Sequence, residues 1–112
     1  MIQYNVTVKI DRRVHDEWIR WMLEHHIPEV LGTGLFTENT VSRMLEEDDE
    51  EGITYAFQYY LRSLDDYRTY LQSHAPALQK DHRERYEGQF VAFRTVMEVV
   101  QLTRVSSREQ WN

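Results

Sequence analysis

The 112-residue chain has no cysteine, only two prolines and four glycines, and no long apolar run. Without cysteine there is no disulfide scaffold, no thiolate zinc site and no cysteine nucleophile. A membrane-spanning helix needs ~18 apolar residues in succession, and no segment approaches that. Strand-like residues begin at Ile2, which leaves no room for a charged and apolar leader, so the cytoplasm is the expected location. No stretch is strongly basic, so nucleic acid is not an expected partner. Little else is missing. A hydrophobic content of 41% with 12% aromatics argues against disorder. The length fits one domain, expected over residues 1–103, followed by a polar tail, 104–112.

The formal net charge of −6 is local. Glu46, Glu47, Asp48, Asp49, Glu50 and Glu51 form one acidic run, and without it thirteen basic residues balance thirteen acidic ones. The run lacks the alternating ligand spacing of a calcium loop. Its expected role is a solvated tip that keeps a weak outer strand from further pairing. The alternative is a contact for a basic partner.

Hydrophobic periodicity sets the elements. Ile2, Tyr4, Val6, Val8 and Ile10 alternate with polar residues and predict a strand, as do Ile53, Tyr55, Phe57, Tyr59 and Leu61. Val14, Trp18, Trp21, Met22 and His25 form one helical stripe, with Asp11 as a candidate N-cap. Pro28 disfavours helix at Ile27 and predicts an end there, and Gly32 and Gly34 mark the exit. A weaker strand is expected over Leu35 to Leu45. Ser63 with Asp66 resembles a capping box, and Leu64, Tyr67, Leu71, His74, Leu78, His82 and Tyr86 give a second stripe, interrupted by Pro76 and ended by Gly88. Phe90 to Leu102 is a nearly all-apolar last strand, which predicts burial on both faces.

The order is βαββαβ, an α+β, ferredoxin-like arrangement with an antiparallel sheet and two helices on one face. A faint repeat agrees with it. Trp18, Trp21 and Met22 correspond to Tyr67, Tyr70 and Leu71, and His26-x-Pro28 corresponds to His74-x-Pro76. Two helices cover one sheet face only. The other would present Asn5, Thr7, Thr54 and Gln58 beside Val91, Phe93 and Met97, an apolar patch that monomers seldom tolerate. A homodimer with facing sheets, closed into a barrel, is therefore expected. Trp111 in the tail is a candidate for docking on the partner subunit.

Histidine is the one proton carrier suited to neutral pH. His25, His26 and His74 are candidate acid/base groups at a pocket between helix and sheet. The alternative for His26 and His74 is donation to carbonyls freed by the proline breaks. Asn5 or a tyrosine would polarise a substrate. Tyr55, Tyr59 and Tyr67 are candidates to line an aromatic pocket, though tyrosines also fill cores. Arg94, amid an apolar strand, should pair with a carboxylate such as Glu98 or await an anionic ligand. A metal at His74 and His82 would need a third ligand, such as Glu29 or Asp81, and no H-E-x-x-H spacing exists, so neither metal nor cofactor is expected.

The segments YNVTV, HDEWIRWM, HIPEVLGTGLF, HAPALQKDHRERY and FVAFRTVMEVV run from Tyr4 to Val100. They resemble a bacterial family known as a domain of unknown function and placed with the dimeric α/β-barrel proteins. The HIPEVLGTGLF and FVAFRT blocks are the most specific, and the chain from Gln101 onward lies outside. The resemblance implies the ferredoxin-like homodimer and transfers no catalytic residues. Families related to that one include cofactor-independent monooxygenases, isomerases, haem-degrading enzymes and ligand-binding proteins. The haem-degrading relatives pair an asparagine on strand one with a histidine on helix two, where Asn5 and His74 stand here, but strand three lacks their tryptophan. Two readings follow: a homodimeric ligand-binding or structural module, or a cofactor-independent enzyme on a small aromatic or carbonyl-bearing molecule. A dry core filled by Trp18, Trp21 and Tyr67 would favour the first. Polar groups converging in an open pocket would favour the second.

Overall fold

The computed structural model describes residues 1–106, so Trp111 and its expected docking lie outside the described residues. Four strands, β1 (Ile2–Asp11), β2 (Phe36–Arg43), β3 (Gly52–Leu61) and β4 (Phe90–Glu98), form one antiparallel sheet in the order β2-β3-β1-β4. The long alternating strands β1 and β3 are central, paired from Ile2↔Leu61 to Asp11↔Gly52. Helical segments fill the two crossovers: α1 (His15–Trp21), a π turn (Met22–His26) and α2 (Ile27–Leu31) in the first, α3 (Leu64–Ser73) and α4 (Ala75–Arg85) in the second. This is the ferredoxin-like βαββαβ arrangement.

Local chemistry accounts for the element ends. The Asp11 carboxylate accepts from the Arg13 backbone N–H at 2.9 Å and caps a short 3-10 turn, Arg12–Val14. The Ser63 hydroxyl accepts from the Asp66 N–H at 3.1 Å and starts α3. Gly34 and Gly88 stand in the turns that follow α2 and α4, with φ of 79° and 75°, a region open to glycine at no steric cost. Pro76 stands in the first turn of α4, where its missing N–H costs nothing.

Pro28 does not end its helix. The chain stays helical through Ile27, whose N–H reaches back five residues to the Met22 carbonyl. Such a π turn widens the coil where proline removes a donor and crowds the preceding turn. The added residue turns the inward face from His25 to His26. His25, expected on the buried stripe, is exposed.

The core lies between helices and sheet. Tyr4, Val8, Ile10, Ile53, Phe57, Tyr59 and Leu61 meet Trp18, Trp21, Met22, Ile27, Val30, Tyr70 and Tyr86. The opposite sheet face carries the odd-numbered residues of β1, Asn5 and Thr7 among them. Beside them Val91 and Phe93 are 67% and 64% exposed. β4 is thus not buried on both faces within one chain: it is an edge strand and ends at Glu98, four residues before the expected Leu102. The acidic run is partly neutralised rather than simply solvated. Lys9 Nζ lies 2.7 Å from the Asp49 carboxylate, Arg12 donates to the Asp49 carbonyl at 2.8 Å, and Arg43 pairs with Asp48.

Candidate functional site

A narrow cavity of about 30 Å³ lies between the helices and the sheet. The sheet contributes Tyr4, Val6, Tyr59 and Arg94; the helices contribute Met22, His26, Val30, Tyr70, Leu78, Gln79 and His82. Two of these histidines come from different crossovers. The π turn points His26 inward, and the second stripe brings His82 opposite it, with ring centroids 5.6 Å apart. Trp21 stacks on both, at 5.2 Å from His26 and 5.8 Å from His82. Phe90 stacks on His82 at 4.1 Å.

The hydrogen bonds fix the state of His82. Trp18 Nε1 donates to His82 Nε2 over 2.9 Å. An indole N–H only donates, so Nε2 holds a lone pair and the proton sits on Nδ1. Burial pushes the His82 pKa down to about 3, helped by the neighbouring His26 and the Arg94 charge. Burial likewise pushes His26 down to about 4; Asp81 opposes the shift and Arg94 adds to it. Both imidazoles are therefore neutral at pH 7. His26 Nδ1 is buried and has no hydrogen-bond partner among the described residues. Buried polar atoms are rarely left so, and this one belongs to a residue that lines the cavity.

Tyrosines line the sheet side. Tyr4 packs against Tyr67 at 5.4 Å and Tyr70 at 5.8 Å. Burial raises the pKa of Tyr4, Tyr59, Tyr67 and Tyr70, so all four are protonated phenols. At Tyr4 the nearby Arg94 guanidinium opposes that rise.

The structure brings together only some of the residues expected at a site. His26, Tyr59 and Arg94 line the cavity, and Tyr67 stands beside Tyr4. His25 faces a surface groove with Glu17, Glu24 and Arg85. His74 is half-buried at the α3–α4 junction and stacks on Tyr70 at 6.5 Å, without lining the cavity. Neither His26 nor His74 makes a side-chain cap bond at its proline break. Asn5 lies on the opposite sheet face from the histidines, because strand side chains alternate and Tyr4 points to the helices. There its Nδ2 donates to Thr7 Oγ1 at 3.0 Å. Tyr55 belongs to another cluster, where its hydroxyl lies 2.7 Å from His15 Nε2 and His15 Nδ1 lies 2.9 Å from Asp16. Arg94 is neither buried nor paired with Glu98. Four residues along a strand span roughly 13 Å, too far for an ion pair that the same spacing permits on a helix.

Sequence reasoning does not reach Tyr4 and Gln79 as site residues, and it reaches His82 only as a metal candidate with His74. Tyr4 reads as one more apolar alternate, and Gln79 carries no sequence signal. His82 is visible on the second stripe, but its partner Trp18 is 64 residues away. Among the described residues no three of the metal-ligating type gather closely enough to hold an ion.

No curated protein matches the chain in sequence. Solved structures are similar to it in fold, at low identity. A dimeric ferredoxin-like protein from an uncultured marine organism is 8% identical with a TM-score of 0.68, covering 94% of this chain and 100% of its own. A mutant of MhuD, solved with two manganese protoporphyrin IX bound per active site, is 14% identical with a TM-score of 0.67, covering 94% and 100%. SnoaB from Streptomyces nogalater, a cofactor-independent oxygenase solved as a mutant, is 12% identical with a TM-score of 0.61, covering 90% and 95%. These likenesses carry the fold. The family is shown by a sequence model that matches residues 1–100: the chain belongs to the domain of unknown function DUF4286.

Proposed function

We propose that the protein is a homodimer that binds a small molecule in the cleft between its helices and its sheet. One observation carries the ligand: His26, whose Nδ1 is buried without a partner among the described residues, lines a cavity together with His82, Arg94 and three tyrosines. A purely structural core would satisfy or remove such a group, since leaving it costs about 1–3 kcal/mol. The enclosed volume of about 30 Å³ is small beside the ~300 Å³ at the low end of ligand pockets. It suits a head group, with the rest of the ligand outside the enclosed volume.

The open sheet face supports the dimer. Val91, Phe93 and Met97 form its exposed apolar part, and Asn5 Oδ1 is buried on it without a partner among the described residues. A second copy laid against this face would cover the patch and can offer Asn5 a donor. The likeness to a protein described as dimeric agrees. No helix among the described residues is long and apolar enough to cross a membrane; our reading places the dimer in the cytoplasm.

A second reading, a cofactor-independent enzyme, is supported by His26 and His82 standing opposite each other at the cavity, with ring centroids 5.6 Å apart, beside tyrosines. Imidazoles and phenols can move a proton on a bound substrate without a metal or redox group, although a histidine held at about 4 is a weak base at neutral pH. The likeness to SnoaB supports it at the level of fold. Haem does not fit the residues: Asn5 and His74 are not on one site, and the cavity is far smaller than a macrocycle.

Methyl-resolved NMR of the protein titrated with a panel of small aromatic compounds tests the cleft. Binding there shifts Met22, Val6 and Val30. Shifts confined to Val91 and Met97, or none, would sink the reading.

A further inference from the structure

The ligand class follows from which charges face the cleft and which do not. Arg94 comes from the edge strand, opposite Val6 in the β1–β4 register, and its side chain borders the cavity. The ion pairs among the described residues engage Lys9, Arg13, His15, Arg43, Arg68 and Lys80, and none engages Arg94. No acidic side chain among the described residues lines the cavity. Asp81 is near enough to influence His26 but stands outside that lining. The polar residues that line the cavity with Arg94, besides the two histidines, are Tyr4, Tyr59, Tyr70 and Gln79, each carrying a donor group.

We propose that the cleft takes the carboxylate of a small, otherwise apolar organic acid, with Arg94 as its counter-ion. The inference rests on the cleft being a small-molecule site and names its ligand class. A guanidinium offers a carboxylate two parallel N–H donors, a fit that a solvated lysine lacks. A cationic ligand would meet Arg94 and find no carboxylate to neutralise it. A neutral ligand would make no charge-assisted bond to the guanidinium. Size points the same way, because about 30 Å³ holds one or two waters, and the two oxygens of a carboxylate can replace them. The ligand's apolar part would then meet Val6 and Leu78 of the same lining.

Benzoate and benzamide share shape and differ in charge, so they are the probes. The full chain is titrated with each, with Val6 and Met22 methyl shifts read in the native protein, in Arg94→Gln and in Arg94→Lys. Benzoate should bind at least about tenfold more tightly than benzamide, the ratio expected from one charge-assisted bond. Arg94→Gln should bring that ratio to about one, and Arg94→Lys should recover part of it. Equal affinities in the native protein, or a ratio that survives Arg94→Gln, would overturn the proposal while leaving the cleft as a site for neutral ligands. If neither probe shifts Val6 or Met22, the small-molecule reading fails together with it.

Discussion

Lowering the pH from 7.5 to 5 should destabilise the protein through His26 and His82. Their folded pKa values, about 4 and about 3, lie below the ordinary 6.5. Below pH 6.5 the unfolded chain binds a proton at each imidazole while the folded chain does not. Their contribution is therefore fully present above pH 6.5, falls as the pH drops, and stops falling only near the folded values. The slope is about 1.4 kcal/mol per pH unit and histidine, or about 2 kcal/mol each between pH 6.5 and 5. His26 is only half-buried, so a total of about 3 kcal/mol is the working figure, a large share of the roughly 5–15 kcal/mol that holds a domain. Bound carboxylates act lower: Asp11, held by Arg13, titrates at about 2. Urea unfolding at fixed protein concentration and pH 7.5, 6.5, 5.5 and 5 measures the effect. His82→Gln, which keeps an acceptor for Trp18, and His26→Asn should each remove about half of the dependence. A native protein equally stable at pH 7.5 and 5 would refute the buried, neutral pair.

Trp18→Phe removes the donor to His82 Nε2 and leaves a buried acceptor, a loss of roughly 2–4 kcal/mol readable in the urea midpoint; a change below about 0.5 kcal/mol would mean water already serves that nitrogen. Gly52→Ala would set a Cβ 2.6 Å from the Ile10 carbonyl, so about 1–3 kcal/mol should be lost and the end of the β1–β3 ladder should exchange amide protons faster. Unchanged protection there would contradict the close approach. Phe93→Asp, on the open face, should leave the chain folded and convert a dimer of about 27 kDa, twice 13.6 kDa, into monomer by light scattering. A native protein already at 13.6 kDa would refute the facing sheets.

The fold was legible because its two central strands alternate without interruption. Ile2 to Ile10 and Ile53 to Leu61 declare a period of two, and the stripes around Trp18 and Tyr67 declare helices on one face, although in the second the structure buries Tyr70 and exposes Leu64 and Leu71. The site was legible only in part. Adjacent His25 and His26 differ by one position, and a single i→i−5 bond at Ile27 decides which points inward. Periodicity at 3.6 residues per turn chose the wrong one, because it carries no record of a π turn. Arg94 stood out as a cation in an apolar strand, yet its expected pairing with Glu98 used a spacing that a strand stretches beyond contact. Asn5 was set beside the histidines although alternation already put it with Thr7. The pairing of His26 with His82, and of Trp18 with His82, joins separate crossovers and exists only once the chain is folded.

The central claim is that the cleft between helices and sheet is a small-molecule site in a dimer with facing sheets. A crystal structure of the protein soaked with benzoate tests it most directly. Two copies joined through Phe93 and Asn5 are expected, with the carboxylate between Arg94 and His26 and the ring over Val6 and Leu78. Density for benzoate only on the open sheet face, or a water bound to His26 in an otherwise closed and ligand-free cleft, would contradict it.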